Sequence, residues 1–244
     1  MVNLKSCDIV YLVKNTEYNG ELRYSLRSVC KNFPHRKIWF VGGLPKGIKP
    51  DYYMPVDQSN KTGPKDKYDN VSKLINAIME NKAISNNFVL FHDDFFVLQP
   101  VKKLPLYANG TLQDTINFVE IAGRTPNSRY INILKKEIEL LSEAGLPCHS
   151  FAVHVPILLN KIQMKNVLNY FGVFYRSLYG NFVYAADYAT KDCEFLKDVK
   201  IYNNIQIPSE DQVYVSTSDG SFNLGEVGKY IRNKFPDPCE YEYE

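Results

Sequence analysis

The run Phe88-Val89-Leu90-Phe91-His92-Asp93-Asp94-Phe95-Phe96-Val97-Leu98 constrains this chain more than any other stretch. Four apolar residues, Phe88 to Phe91, follow the turn formers Asn86-Asn87 and predict a short buried strand. Two adjacent carboxylates come next, and then the apolar character resumes. Burying a charge is costly unless it is paired or coordinates a metal. Two acids at the end of a core strand therefore suggest a divalent cation with oxygen ligands. Such an ion suggests in turn a phosphate-bearing ligand at the carboxyl edge of an α/β sheet. The plain alternative is a strand end in solvent with Asp-Asp as an ordinary turn, so the flanking sequence has to decide.

That flanking sequence supplies two strand–helix–strand units. Cys7 to Val13 is a compact apolar run rich in β-branched residues and predicts a central parallel strand. Glu21 to Cys30 carries Leu22, Leu26 and Val29 on one helical face, and Asn32-Phe33-Pro34 ends that helix. Lys37 to Val41 reads as the second strand, closed by Gly42-Gly43. Residues 44–69 are rich in Pro, Gly, Lys and Asp and read as a long functional loop, in which Lys61, Lys65 and Lys67 could meet phosphate. Val71, Leu74, Ile75, Ile78 and Met79 then form the stripe of an amphipathic helix, with Asp69 or Asn70 as its cap. The strand ending at His92-Asp93-Asp94 follows, which completes the second unit.

Beyond Pro100 the pattern loosens. It predicts a strand over 118–122, a helix over 131–141, a strand-like run over 149–156, a helix over 158–171 and an apolar helix end before Arg176. Short strands over 200–202 and 213–216, a last helix over 227–233 and a frayed acidic tail over 240–244 complete the reading. The fold class is α/β: a Rossmann-like, mostly parallel sheet with helices on both faces. At 244 residues one domain suffices, with residues 1–100 as a nucleotide-binding half and 101–244 as an acceptor-side half.

Composition removes some classes. Cys7, Cys30, Cys148, Cys193 and Cys239 are widely spaced with no CxxC pair, which speaks against zinc and for reduced thiols in the cytoplasm. No secretory leader and no stretch long enough to span a bilayer is expected. A formal net charge of +2 neither requires nor excludes a nucleic-acid partner.

An acidic pair after a core strand resembles the DxD-like cluster of GT-A-type nucleotide-sugar transferases, in which the carboxylates hold Mn²⁺ or Mg²⁺ against the donor's diphosphate. Four stretches read together resemble the Stealth family of sugar-1-phosphate transferases. Glu21 to Val29 with Lys37-Ile38-Trp39 is similar to that family's second region. Phe91 to Phe96 resembles its "NDDxFF" segment, with His92 in place of the asparagine. His154-Val155-Pro156 is similar to its "HxP" region, and Arg176-Ser177 sits where the family has an arginine-serine. Val215 to Gly220 and the ending Phe235 to Glu240 resemble its C-terminal region. The family's first region reads roughly "DIVYTWVDG", whereas Tyr11 is followed here by Leu12-Val13-Lys14-Asn15, so the Trp-Val-Asp is absent.

The resemblance implies a GT-A-like fold and a metal-dependent transferase that takes a nucleotide sugar, such as a UDP-sugar, and delivers to a hydroxyl acceptor on a glycan. It implies Asp93 and Asp94 as metal ligands, His154 as general base and Arg176 as a diphosphate clamp. Asp219 would complete the metal shell or act as base, and His92, Arg23, Asn70 and Lys73 would line the donor. Each has a plain counterpart: a satisfied strand-end histidine, a surface ion pair, a turn aspartate, solvated helix charges. Glycosyl and sugar-1-phosphate transfer use the same bound donor, and both stay open. So do transfer to nucleic acid, as in phage-type DNA base glycosylation, and a non-catalytic nucleotide-sugar-binding module.

Overall fold

The computed structural model describes residues 2–58, 64–123, 125–126, 128–186 and 193–243, without the side chains of 64–68 and 186. In chain order the elements are β1 (Asp8–Val13), α1 (Gly20–Asn32), β2 (Ile38–Gly42), β3 (Tyr52–Pro55), α2 (Pro64–Glu80), β4 (Asn87–His92) and β5 (Phe95–Val97). Then follow β6 (Leu106–Ala108), α3 (Leu112–Ile121), α4 (Arg129–Glu143), β7 (Ile157–Asn160), α5 (Lys161–Phe171) and α6 (Arg176–Ala186). The chain closes with β8 (Cys193–Phe195), β9 (Lys200–Ile201), β10 (Tyr214–Thr217), α7 (Asp219–Leu224) and α8 (Glu226–Lys234).

The central sheet has the order β3-β2-β1-β4-β7, with four parallel strands and β7 antiparallel at one edge. Alternation along β1 builds two cores. Ile9, Tyr11 and Val13 pack with Leu22, Leu26 and Val29 of α1 on one face. Val10 and Leu12 join Leu74, Ile75 and Ile78 of α2 and Leu178 and Tyr179 of α6 on the other. Because helices cover both faces, β1 and β4 read as unbroken apolar runs.

From β1 the chain moves outward to β2 and β3, then returns to the opposite side of β1 at β4. The strand order therefore reverses between β1 and β4. Ligands of open α/β sheets bind at such a switch point, outside the carboxyl ends of the strands. A second sheet, β5-β10-β9, begins one turn after β4. Its register sets Ser216 against Phe95 on one side and Lys200 on the other, which carries residues 198–219 to that edge.

Several expectations are corrected. Residues 118–122 are the end of helix α3, opened by a reciprocal cap between Thr111 and Asp114. Residues 158–160 belong to β7, and Asn160 caps α5 by accepting from the Ile162 and Gln163 amides. Over 149–156 there is no regular strand, only a bridge between Thr111 and His149. The 44–69 stretch holds β3 and the first turns of α2. That helix starts at Pro64, a first-turn position suited to proline, so Asp69 and Asn70 lie inside it rather than capping it. Arg176 opens α6, with residues 172–175 separating it from the end of α5. The tail is held, not frayed: Tyr241 is buried and its hydroxyl donates to Asp51 at 3.0 Å. No helix among the described residues is long and apolar enough to cross a membrane.

Candidate active site at the switch point

Asn19 ties the two strand ends together. It caps α1, accepting from the Leu22 amide at 2.9 Å, and its Nδ2 donates to Asp93 Oδ2 at 2.7 Å. One side chain thus orients both the helix after β1 and the carboxylate after β4. Asp94 faces the second sheet. Lys200 Nζ donates to its Oδ2 at 2.6 Å and Ser216 Oγ at 3.0 Å, while the Thr217 amide donates to its carbonyl at 3.3 Å. Glu21 accepts from Thr217 Oγ1 at 2.6 Å.

The carboxylates differ in electrostatic state. Burial pushes Asp93 up, against the hydrogen bond from Asn19, and the neighbouring Asp94 charge adds to the rise. Burial also pushes Asp94 up, but the charges of Lys200 and His92 and the hydrogen bonds outweigh it and hold it low. Glu21 is raised to about 8 by burial, against its Thr217 bond, with Asp93, Asp94 and Asp219 adding to the rise. Burial would lower Lys200, yet the Asp94 carboxylate more than compensates and raises it.

A second pair lies next to this one. His154 Nδ1 is 2.9 Å from both Asp198 oxygens, and the Lys200 amide donates to Asp198 Oδ1 at 3.3 Å. The segment 198–200 therefore holds His154 with one residue and Asp94 with another. Burial raises Asp198, but His154 outweighs it and leaves the carboxyl below its ordinary value. Arg176 donates from Nη2 to the Val155 carbonyl at 2.8 Å, and its Nε is buried with no partner among the described residues. Burial lowers it to about 10, opposed by the charges of Asp198 and Asp94.

The fold thus brings Asp93, Asp94, His154 and Arg176 into one neighbourhood. His92 packs its ring 5.0 Å from Phe95, and its charge reaches Asp94. Asp219 opens α7 in an exposed position, with its charge felt at Glu21 and Asp93. Arg23 points elsewhere and pairs with Glu242 at 3.4 Å. Arg27, one turn further along α1, is buried on that same Glu242. Asn70 is half-buried in the body of α2, and Lys73 on the same helix is exposed. Lys61 lies outside the described residues, as do the side chains of Lys65 and Lys67.

Sequence reasoning missed Asn19, Glu21, Asp198 and Lys200. An asparagine before an amphipathic helix is a cap signal, so Asn19 was within reach of local rules. Nothing local marks the others: Lys200 meets Asp94 across 106 positions of sequence.

Among the described residues no group of three or more His, Cys, Asp or Glu is placed to hold a metal ion. The residues still fit a hard cation of the kind held by one or two carboxylates and completed by ligand phosphates and water, as Mg²⁺ usually is. Asp93 and Asp94 are the carboxylates that would hold it.

No family model and no curated protein matches the chain, so the Stealth resemblance rests on the segments quoted above. Similar solved structures are glycosyltransferases. The galactosyltransferase LgtC in complex with donor and acceptor sugar analogues aligns over 96% of this chain and 98% of its own, at 10% identity and a TM-score of 0.46. An active-site mutant of LgtC covers 80% of this chain and 75% of its own, at 12% identity and a TM-score of 0.39. The glycosyltransferase GlyE of Streptococcus pneumoniae TIGR4 covers 79% and 45%, at 10% identity and a TM-score of 0.33. Likeness at this level says nothing of substrate or reaction.

Proposed function

We propose that the chain is a nucleotide-sugar transferase whose donor diphosphate lies at the β1–β4 switch point. The supporting observation is the Asn19–Asp93 hydrogen bond across that point, with the Asp94–Lys200 pair beside it. A parallel sheet presents its ligand edge there, and here that edge carries adjacent carboxylates with two half-buried cations, Lys200 and Arg176, beside them.

Roles follow from the chemistry of each group. Asp93 and Asp94 would hold Mn²⁺ or Mg²⁺, which when bound neutralises charge on the leaving diphosphate as a Lewis acid. Arg176, whose planar guanidinium suits bidentate phosphate contacts, would clamp the diphosphate. His154 would take the acceptor hydroxyl's proton. With Nδ1 engaged by Asp198, Nε2 is the nitrogen available for that proton, the arrangement that orients a histidine base. Asp219 would sit at the rim, and His92, Asn70 and Lys73 would line the donor. Residues 1–100 would carry the metal-holding part of the donor side and 101–244 the acceptor side together with Arg176 on the diphosphate; a UDP-sugar is the leading donor and a glycan hydroxyl the acceptor. Unbridged cysteines suit a cytoplasmic enzyme. Glycosyl transfer, in which the nucleoside diphosphate leaves, and sugar-1-phosphate transfer, in which attack at the β-phosphorus expels the nucleoside monophosphate, would start from the same bound donor.

The test is incubation with Mn²⁺ and a panel of UDP-, GDP- and CMP-sugars. One donor should bind and hydrolyse slowly, and Asp94→Ala should abolish this. If no donor binds or hydrolyses and Asp94→Ala changes nothing, the reading fails.

A further inference from the structure

A metal held on Asp94 needs that carboxylate's lone pairs, yet its Oδ2 already accepts from Lys200 and Ser216. Lys200 is no surface lysine that happens to reach an acid. Its side chain is 16% exposed and that of Asp94 17%, so both are mostly withdrawn from water but open to a ligand. The backbone of Lys200 is set by the pairing of β9 with β10 and by the bond from its amide to Asp198. An ammonium carries three N–H donors, and the hydrogen bond found for Nζ among the described residues goes to Asp94. The ring of Tyr202 lies 5.7 Å from Nζ.

The charges around it pose a problem for any diphosphate. Asp93, Asp94 and Asp219 crowd this edge, and a diphosphate brings further negative charge. Like charges repel strongly at contact distance in a partly dry site. A cation must stand between carboxylate and phosphate, and Lys200 already stands on the carboxylate.

We propose that Lys200 is a diphosphate-binding cation of the donor site. One N–H stays on Asp94 and the others donate to the phosphates of a nucleoside diphosphate, where a divalent ion would otherwise bridge the two. The inference rests on the donor reading above and names the group that meets the phosphates. It has two consequences. Diphosphate binding persists without a divalent cation, and a divalent cation competes with Lys200 for Asp94. The rival is an ion pair that only pins β9 to the Asp93-Asp94 turn.

Calorimetric titration of the full chain with inorganic pyrophosphate, UDP and GDP, in EDTA and again in Mn²⁺, separates the two. In EDTA the wild type should bind at least one of these probes, and Lys200→Gln should weaken it by about tenfold or more. Lys200→Arg should restore most of the affinity, because a phosphate-binding cation is retained. Mn²⁺ titration followed by electron paramagnetic resonance should show Lys200→Gln binding the ion more tightly than the wild type, since Asp94 is released. Should Lys200→Gln fail to fold, the paired variant Asp94→Asn with Lys200→Gln leaves no lone buried charge and should show the same loss in EDTA. Wild-type affinity in Lys200→Gln or in the paired variant would overturn the proposal. So would a wild type that binds the probes in Mn²⁺ but not in EDTA, and in that case the donor reading survives. If the wild type binds none of them in either condition, the donor reading falls and this inference with it.

Discussion

Arg27 and Lys200 each meet a carboxylate that the fold withdraws from water, and they meet it differently. Arg27 donates four hydrogen bonds: Nε and Nη2 to the two oxygens of Glu242, and Nη1 to the carbonyls of Phe235 and Pro236. Its side chain is 8% exposed and that of Glu242 5%. Every acceptor comes from the C-terminal stretch, so the pair fastens the chain's end to α1. Lys200 meets Asp94 at the switch point, and among the described residues its other N–H donors have no hydrogen-bond acceptor. Arg27 uses four of its five N–H donors inside the protein and so holds the protein to itself, whereas Lys200, at a ligand edge, uses one of three among the described residues and can hold something else. Burial of charge alone does not separate structure from function, whereas the completeness of its hydrogen bonding does.

That contrast can be broken by measurement. The largest effect should come from Arg27→Ala, which leaves the buried Glu242 with only the longer 3.4 Å pairing to the half-exposed Arg23. The expected loss is about 3–5 kcal/mol, seen as a melting temperature lower by roughly 2–4 °C per kcal/mol for a chain of this size. Donor affinity per folded molecule should not change; a normal melt would sink the clamp reading. Next is Asp94→Asn, for which donor turnover should fall by about 10²–10³. Its melting shift should be smaller than that of Arg27→Ala, because Lys200 can turn toward solvent. An Asp94→Asn protein that melts early but turns over normally would put Asp94 in the same structural class as Glu242.

A third effect depends on pH. Glu21 is raised to about 8 in the folded chain against 4.5 as its ordinary value. Between those values the folded state keeps a proton that the unfolded state has released, so stability falls as pH rises through the window. Glu137, raised to about 8 by burial against a backbone hydrogen bond from Leu178, contributes in the same window. Glu21→Gln should remove one of the two slopes, at most about 1.4 kcal/mol per pH unit. Melts of both proteins across that range check it, and parallel curves would mean that Glu21 holds no proton. The smallest effect belongs to the Lys46–Glu17 pair, 66% and 61% exposed. Lys46→Ala should change stability by less than about 0.5 kcal/mol, which calibrates the buried pairs against an ordinary surface one.

Legibility followed the range of the forces involved. β1 and β4 stand out in the sequence because both faces are covered and the apolar run is continuous. β3 does not, because it is an edge strand whose Tyr52 and Tyr53 remain exposed. α3 was misread because Phe118 and Ile121, which look like strand residues, are exposed on a helix whose buried contacts are Leu112 and Ile116. The tail's alternation of Tyr and Glu carries no sign that Glu242 will be buried between Arg23 and Arg27.

The sequence by itself determined where the acidic turn lies: at the end of a strand that must be buried, since apolar periodicity and turn residues act among neighbours. It also located the helices that cover that strand. Only the tertiary structure decided what the acids meet. Asn19 reaches Asp93 across 74 positions and Lys200 reaches Asp94 across 106. Charge pairing depends on distance through space, and the sheet order that brings those residues together is a property of the whole chain rather than of any segment.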